Sequence, residues 1–231
     1  MVALAAVHPL QPRFAQAVTG VLSLEAVLFQ TEPVVAVALG LVLLGLAGPR
    51  WSPVARLFRL LARPAGDLEP AAPVRFSQML AAGALAVALV LLYTGLDLAG
   101  WIVTGLVAAV ALLSAITGLC VGCEAYRLLF AARRTRRGDL RDDLGLDGQG
   151  PWLVVLTAPG CARCEPVARE LERAAGPRGV VRVNIAEHPR AASLPVRSLP
   201  AALAVGADGR LRAARAGRLS APDLVQVLDA L

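Results

Sequence analysis

The apolar residues of this chain are concentrated in its first 130 positions, where long apolar runs alternate with short polar connections. Four of these runs are candidate membrane spans, and they cover residues 14–31, 34–48, 77–97 and 99–130. A helix needs roughly 20 mostly apolar residues to cross a bilayer, a length that the third and fourth runs reach. The first run contains Glu25, and the second is short. The pattern predicts an all-α transmembrane four-helix bundle over residues 1–132.

The pattern changes after residue 132. Residues 133–150 are rich in charge and glycine, which is typical of a linker. Beyond it, short apolar runs bounded by turn residues predict strands, and amphipathic runs predict helices. The predicted elements are a strand at 152–156, a helix at 161–176, a strand at 179–185, a hairpin of 201–205 with 211–217, and a helix at 220–231. Residues 151–231 therefore read as a second domain, of the α/β class.

The net charge of +6 is the difference between 23 basic and 17 acidic residues. All the basic residues are arginine, so lysine Schiff-base chemistry is excluded. Arginines are concentrated in the loop at 48–76 and after the last span, whereas the connections at 31–33 and 94–100 contain none. We therefore expect a multi-pass protein of the inner (cytoplasmic) membrane. By the positive-inside rule, this asymmetry places both termini and the C-terminal domain in the cytoplasm. Residues 51–63 have an apolar and a basic face, which predicts a helix on the cytoplasmic interface. The charge thus indicates the lipid bilayer, and not nucleic acid, as the partner.

The four cysteines form two CxxC pairs. Cys120 and Cys123 are predicted at the cytoplasmic end of the last span, one turn apart on one helix face. Cys161 and Cys164 open a helix directly after a strand, a pattern typical of a redox site. The helix N-terminus and Arg163 favour the thiolate of Cys161, which makes it the attacking thiol. Cys164 would then be the resolving thiol.

Other roles for these cysteines stay open at this point. Cys120 and Cys123 could be small apolar packing residues. Four thiols have the composition of a zinc site, but the strand–CxxC–helix pattern favours redox chemistry, and we expect no metal. Neither pair is followed by the histidine of a c-type haem motif.

Two carboxylates are candidates for proton transfer. Glu25 is the ionisable residue that lies well inside a predicted span, where such residues are costly and usually functional. Its alternative role is a protonated carboxyl group hydrogen-bonded to a neighbouring helix. Glu124 follows Cys123 directly and could accept a thiol proton, or lie at the interface without a role in the chemistry.

Residues 151–231 resemble the thioredoxin family in a minimal form. The resemblance rests on the CxxC after the first strand and on NIAEHPRAASLPVRSLPAALAV at 184–205. It implies that Pro200 is a cis-proline that holds a substrate strand beside the cysteines, with Arg163 also near the substrate. Gly217 stands where the family has a glycine after its hairpin.

The chain departs from the thioredoxin pattern at four positions. Val155 stands where thioredoxins have a buried aspartate, and Arg182 stands where they have its partner lysine. Gly160 replaces the tryptophan that precedes the first cysteine, and Glu165 replaces the basic residue that follows the second. The resolving step must therefore use another base or water.

The first part of the chain begins with RFAQA at 13–17 and ends with GLCVGC at 118–123. On these motifs and the four runs, residues of about 10–130 resemble a four-span bacterial membrane domain of unknown function, which implies a redox or sulfur context.

These observations predict a membrane-bound thiol–disulfide oxidoreductase. Electrons would pass between the Cys161–Cys164 pair and the Cys120–Cys123 pair, and onward to a membrane or trans-membrane acceptor. The expected partners are protein or small-molecule thiols and disulfides; no cofactor is required, and a quinone is a candidate acceptor. The alternative is a transporter or carrier of a small sulfur species that uses cysteine persulfides. A third hypothesis is a redox-sensing membrane anchor that recruits partners.

Overall fold

The computed structural model describes residues 6–61, 68–131, 138–188, 190, 191, 194 and 196–231. The chain forms two compact units. The helical unit consists of Leu10–Pro64 and Pro73–Ala125, and the α/β unit consists of Met1–Pro9, Ala65–Ala72 and Tyr126–Leu231.

Each of the four predicted spans coincides with a helix for most of its length. The helices of this part of the chain are α1 (Leu10–Phe29), α2 (Glu32–Ala47), α3 (Pro53–Leu61), α4 (Ala71–Tyr93), α5 (Asp97–Thr117) and α6 (Val121–Tyr126), and a π-helical turn (Arg127–Ala131) follows α6. Among the described residues, α4 and α5 are long and apolar enough to cross a membrane, whereas α2 is apolar but has only 16 residues. Two of the four predicted spans therefore meet the length and composition of a membrane helix.

Small residues let the helices of this unit approach closely. A Cβ atom on Gly20 of α1 would lie 2.8 Å from Cγ of Leu112 on α5, so this glycine permits the contact between the two helices. Large apolar side chains are exposed on the surfaces of α4 and α5. They include Met79, Val87, Val90, Ile102, Leu113 and Ile116. An apolar surface of this kind suits hydrocarbon better than water.

The predicted last span, 99–130, is wrong as a single helix. Helix α5 ends at Thr117, and Gly118 adopts the left-handed conformation with φ of 73° while its N–H donates to the carbonyl of Ser114 at 2.9 Å. This is the usual way for glycine to end a helix. The chain resumes helical structure at Val121. The Cys120–Cys123 pair thus lies just after the end of α5, and not within one continuous helix.

The α/β unit is built on a four-stranded sheet with mixed pairing, and the sequence predicts its four strands. Its strands are β3 (Trp152–Thr157), β4 (Val181–Asn184), β5 (Ala201–Val205) and β6 (Leu211–Ala216), in the spatial order β4-β3-β5-β6. Strand β3 runs parallel to β4 and antiparallel to β5, and β5 and β6 form the predicted hairpin. Helices α8 (Cys164–Ala175) and α9 (Ala221–Leu228) lie within the predicted helices.

Alternate residues of β3 point into two hydrophobic clusters, as the period of a strand requires. Val154 and Leu156 belong to a cluster that includes Leu199 and Cys164. Leu153 and Val155 belong to the other cluster, which contains apolar side chains of α8 and α9. Both faces of the sheet are therefore covered.

Residues 138–150 belong to this unit and are not the linker that their charge predicts. They contain a one-turn helix, α7 (Arg141–Leu144), and the side chains of Leu140, Leu144 and Leu146 are buried in the cluster of Leu199. The N–H of Leu140 also donates to the carbonyl of Gly209 at 2.9 Å. These contacts pack the segment against the rest of the α/β unit. Residues 133–137 of the predicted linker lie outside the described residues.

Two short segments from the first third of the chain also belong to the α/β unit. Strand β1 (Ala6–Val7) pairs antiparallel with β2 (Glu69–Pro70), and Leu68 forms an antiparallel bridge with Leu199. The predicted boundary at residue 132 therefore does not divide the chain into its compact units.

Candidate redox-active cysteine sites

The Cys161–Cys164 pair lies where β3 passes into α8. The two residues form a disulfide with a Cα–Cα distance of 5.4 Å. The N–H of Cys161 donates to the carbonyl of Ala158 at 3.2 Å, and the N–H of Cys164 donates to that of Cys161 at 3.3 Å. Cys164 is only 4% exposed, whereas Cys161 is partly exposed. A partner can therefore reach Cys161 more readily than Cys164, which fits attacking and resolving roles.

Charged side chains next to this disulfide are largely paired with each other. Arg163 occupies the position just before α8. Glu165, which follows Cys164, pairs with Arg169 at 3.0 Å and with Arg182 at 2.7 Å, so its negative charge is compensated. Arg182 also binds Glu172 at 2.7 Å, and this hydrogen bond lowers the pKa of the Glu172 carboxyl group.

The resemblance to thioredoxins would put a buried acid at the position of Val155. It pairs with Arg182 across the β3–β4 ladder, and its side chain is fully buried among apolar residues. The Arg182 guanidinium turns to Glu165 and Glu172 on the surface. This position therefore cannot supply a proton acceptor to the cysteines.

The Leu199–Pro200 peptide bond is cis, as the sequence predicts. The carbonyl of Pro200 accepts a hydrogen bond from the N–H of Gly217 at 2.9 Å. Leu199 is fully buried in the cluster that contains Cys164 and against which Cys161 packs. The proline loop and the disulfide thus share one part of the α/β unit, and Leu68 packs against the same cluster.

The Cys120–Cys123 pair has a similar local arrangement in the helical unit. The residues form a disulfide with a Cα–Cα distance of 5.1 Å. Cys120 precedes α6, and its Sγ accepts a hydrogen bond from the N–H of Cys123 at 3.2 Å. Cys123 is 7% exposed and Cys120 is partly exposed. In both pairs, then, the first cysteine precedes a helix and is accessible, while the second lies in the first turn and is buried.

Sequence reasoning missed a polar side chain that contacts this pair from another helix. Nε2 of Gln16 on α1 donates to Sγ of Cys120 at 3.5 Å. The sequence signal for this contact was the presence of a polar residue, Gln16, within an otherwise apolar run. Glu124 lies beside the pair, and its N–H donates to the carbonyl of Cys120 at 3.0 Å.

Glu25 is not inside the helical bundle. Its side chain is exposed on α1, four residues before the end of the helix, whereas Ser23 and Ala26 of the same turn are buried. The exposed position of Glu25 therefore does not support a role for it in proton transfer inside the bundle. Hydropathy places a residue along a helix but does not fix the face on which it lies.

A cavity of about 320 Å³ lies between the helices beside Cys120. We call it the helix cavity. Its walls include Gln16, Thr19, Ser77, Gln78, Gly122 and Ala125, together with apolar side chains of α2, α4 and α5. Gly122 and Ala125 belong to α6, the helix that also contains Cys123. Among the described residues, no group of three or more His, Cys, Asp and Glu side chains is placed to hold a metal ion.

Comparison with known proteins identifies the first part of the chain. A search of curated proteins gives no match. A family model described as "Domain of unknown function (DUF4395)" matches residues 7–131, which is more than half of the chain. The match includes Gln16 and the Cys120–Cys123 pair but not the sheet of the α/β unit, so it does not test the resemblance to thioredoxins. The chain therefore belongs to the DUF4395 family, and α1 to α6 are its DUF4395 domain.

Proposed function

We propose that this protein is a membrane-bound thiol–disulfide oxidoreductase that relays electrons between its two cysteine pairs. The observation behind the proposal is the shared geometry of the pairs. Each forms a disulfide, and in each the first cysteine is accessible and the second is buried. Pairs with one exposed thiol and one resolving thiol are suited to exchange through a mixed disulfide.

The chemistry of the relay follows from which sulfur atoms are accessible. With the α/β pair reduced, the Cys161 thiolate attacks Sγ of Cys120, and Cys123 leaves as a thiolate. Cys164 then attacks Sγ of Cys161 and releases Cys120. One disulfide is reduced to two thiols and the other dithiol is oxidised, so two electrons pass to the helical unit. We place electron entry at Cys161–Cys164 because the cytosol is reducing.

The architecture that we propose is a four-helix membrane bundle joined to a thioredoxin-like domain. Helices α4 and α5 have the required length and hydropathy, and α1 and α2 would complete the bundle as a shorter hairpin. The strand order and the cis peptide bond before Pro200 support the thioredoxin resemblance. The arginine distribution supports an inner-membrane location with the α/β unit in the cytoplasm.

The experiment is to trap the mixed disulfide between single cysteines. The double variant Cys164→Ser/Cys123→Ser retains only Cys161 and Cys120. A protease site is inserted within residues 133–137, because residues 140–146 are packed in the core. The full-length protein is purified, mildly oxidised, alkylated, cleaved and run on a non-reducing gel. We expect the two fragments to stay joined until a reductant is added.

The matched control is Cys164→Ser/Cys120→Ser, which retains the buried Cys123 instead of Cys120. Its fragments should separate. If the fragments of both double variants separate after oxidation, the relay is refuted. If both stay joined to the same extent, the proposed role of Cys120 as the attacked sulfur is refuted.

We do not retain sulfur transport as a second function. A carboxylate inside the bundle would favour that hypothesis, but Glu25 is exposed on α1. It also does not belong to the walls of the helix cavity.

A further inference from the structure

We propose that the helix cavity binds the neutral headgroup of a quinone, which accepts the electrons of Cys120 and Cys123. This inference rests on the proposed redox function of that pair and names its acceptor. The cavity is adjacent to the disulfide in two ways. Gln16 lines it and contacts Sγ of Cys120, and Gly122, which lies in α6 between the two cysteines, also lines it.

The walls of the cavity select against charged ligands. Among the described residues that form them there is no Asp, Glu, Arg or His, and most are apolar. A charged ligand would lose its hydration without gaining a counter-ion, which is costly. The usual water-soluble thiols and phosphates are charged, whereas a quinone headgroup is neutral and flat. The volume of about 320 Å³ is at the lower end of ligand pockets, which suits a single headgroup.

Two amide side chains give the cavity its polar contacts. Gln16 and Gln78 line it from α1 and α4. In the part of the chain that the structure describes, the Gln78 amide has no hydrogen-bond partner. An amide both donates and accepts. It can therefore donate to a quinone carbonyl and accept from the hydroxyl group that replaces this carbonyl after reduction. The two glutamine amides can therefore form hydrogen bonds with both the quinone and the hydroquinone.

The proposed step is balanced in electrons and protons. The two thiols of Cys120 and Cys123 lose two electrons and two protons, and the sulfur–sulfur bond forms. The quinone gains the two electrons and two protons and becomes a hydroquinone. No further oxidant is needed, and the pair returns to the state in which Cys161 can reduce it again.

The test isolates the membrane pair from the relay. Full-length protein with Cys161→Ser/Cys164→Ser is reduced, freed of reductant and mixed without oxygen with a decyl-substituted benzoquinone. Quinone absorbance and the alkylation of Cys120 and Cys123 are followed together. We expect one quinone to be consumed for each disulfide formed, with a rate that saturates as the quinone concentration rises.

Variants of the walls connect this reaction to the cavity. Gln16→Leu and Gln78→Leu each remove one hydrogen bond to the ligand, which should lower the rate by about fivefold to tenfold. Ala81→Leu adds bulk to the α4 wall and should abolish saturation. The matched controls are Gln11→Leu, on α1 outside the cavity walls, and Gly83→Ala, where a Cβ atom would have no neighbour within 4 Å. Both controls should react like the parent protein.

The outcomes separate this inference from the relay. If the reduced pair is oxidised by diamide but not by the quinone, the cavity does not bind the acceptor and the inference is refuted, while the trapping result for Cys161 and Cys120 is unaffected. Equal rates in the parent, Gln16→Leu and Gln78→Leu proteins would also refute it. If the quinone reacts as expected and trapping fails, the relay is refuted and the cavity retains its function.

Discussion

The backbone N–H of Leu199 donates to the backbone carbonyl of Leu68 at 2.7 Å. Leu199 precedes the cis-proline Pro200, and Leu68 lies just before β2. A segment from the first third of the chain therefore forms a backbone hydrogen bond with the residue just before the cis-proline. The Leu68 side chain packs against the same cluster as Cys161. Any substrate strand that pairs at Leu199 must displace this segment.

This contact predicts that weakening it exposes Cys161. In reduced protein, Leu68→Asp should raise the alkylation rate of Cys161 several-fold, because a charged side chain is poorly accommodated against an apolar cluster. The rate is measured by mass spectrometry after timed alkylation. Val225→Asp makes the same kind of change on an exposed position of α9 and should have no effect. An unchanged rate in Leu68→Asp would show that the segment does not cover the cysteine.

The burial of the second cysteine in each pair predicts an order of thiol reactivity. In reduced protein, Cys161 should be alkylated before Cys164, and Cys120 before Cys123, because the second residues are 4% and 7% exposed. Peptide mapping after stepwise alkylation measures all four. In the Cys161→Ser protein, the alkylation of Cys164 should stay slow, because its burial limits the rate and not competition with Cys161 for the reagent. A fast Cys164 in that variant would remove the basis for assigning the resolving role.

The sequence was sufficient to predict the elements of the α/β unit because their signals are local. Residues 201–205 form a short apolar run that ends at turn residues, and the observed strand has the same limits. Ser220 is the N-cap residue at the start of the predicted helix, and the Asp223 carboxylate accepts a hydrogen bond from its N–H at 2.9 Å. By contrast, the pairing of Ala6–Val7 with Glu69–Pro70 joins distant positions and has no local signature.

The candidate site was predictable in its chemistry but not in its surroundings. Both cysteine pairs could be found from spacing alone. The end of α5 at Gly118 could not be found in this way, because the sequence stays apolar beyond it. Gln16 and Gln78 lie in apolar runs where only the arrangement of the helices shows that they line one cavity. Glu25 was given a role that its exposed position does not support.

Close packing at Gly122 predicts a stability difference between two glycine variants. A Cβ atom on Gly122 would lie 2.7 Å from Oγ and 2.9 Å from Cα of Ser77, so α6 would have to move away from α4. Gly122→Ala should destabilise the protein by about 1–3 kcal/mol, as overpacking does. Gly83→Ala has open space and should be neutral or stabilising by up to about 1 kcal/mol. Thermal unfolding in detergent compares them, and equal stability of the two variants would contradict the close contact.

The ion pair between Arg182 and Glu172 predicts a pH-dependent contribution to stability. The hydrogen bond from Arg182 lowers the pKa of Glu172 in the folded protein. A carboxyl group with a lowered folded pKa stabilises the fold above its unfolded pKa, and this contribution is lost as the pH falls through the folded value. Between about pH 6 and about pH 3, the melting temperature of the parent protein should therefore fall more than that of Glu172→Gln. The difference should be small and decrease with salt, because the pair is on the surface. Glu170→Gln, on the same helix and without an ion pair among the described residues, should follow the parent curve; if it instead follows Glu172→Gln, the effect is not specific to Arg182.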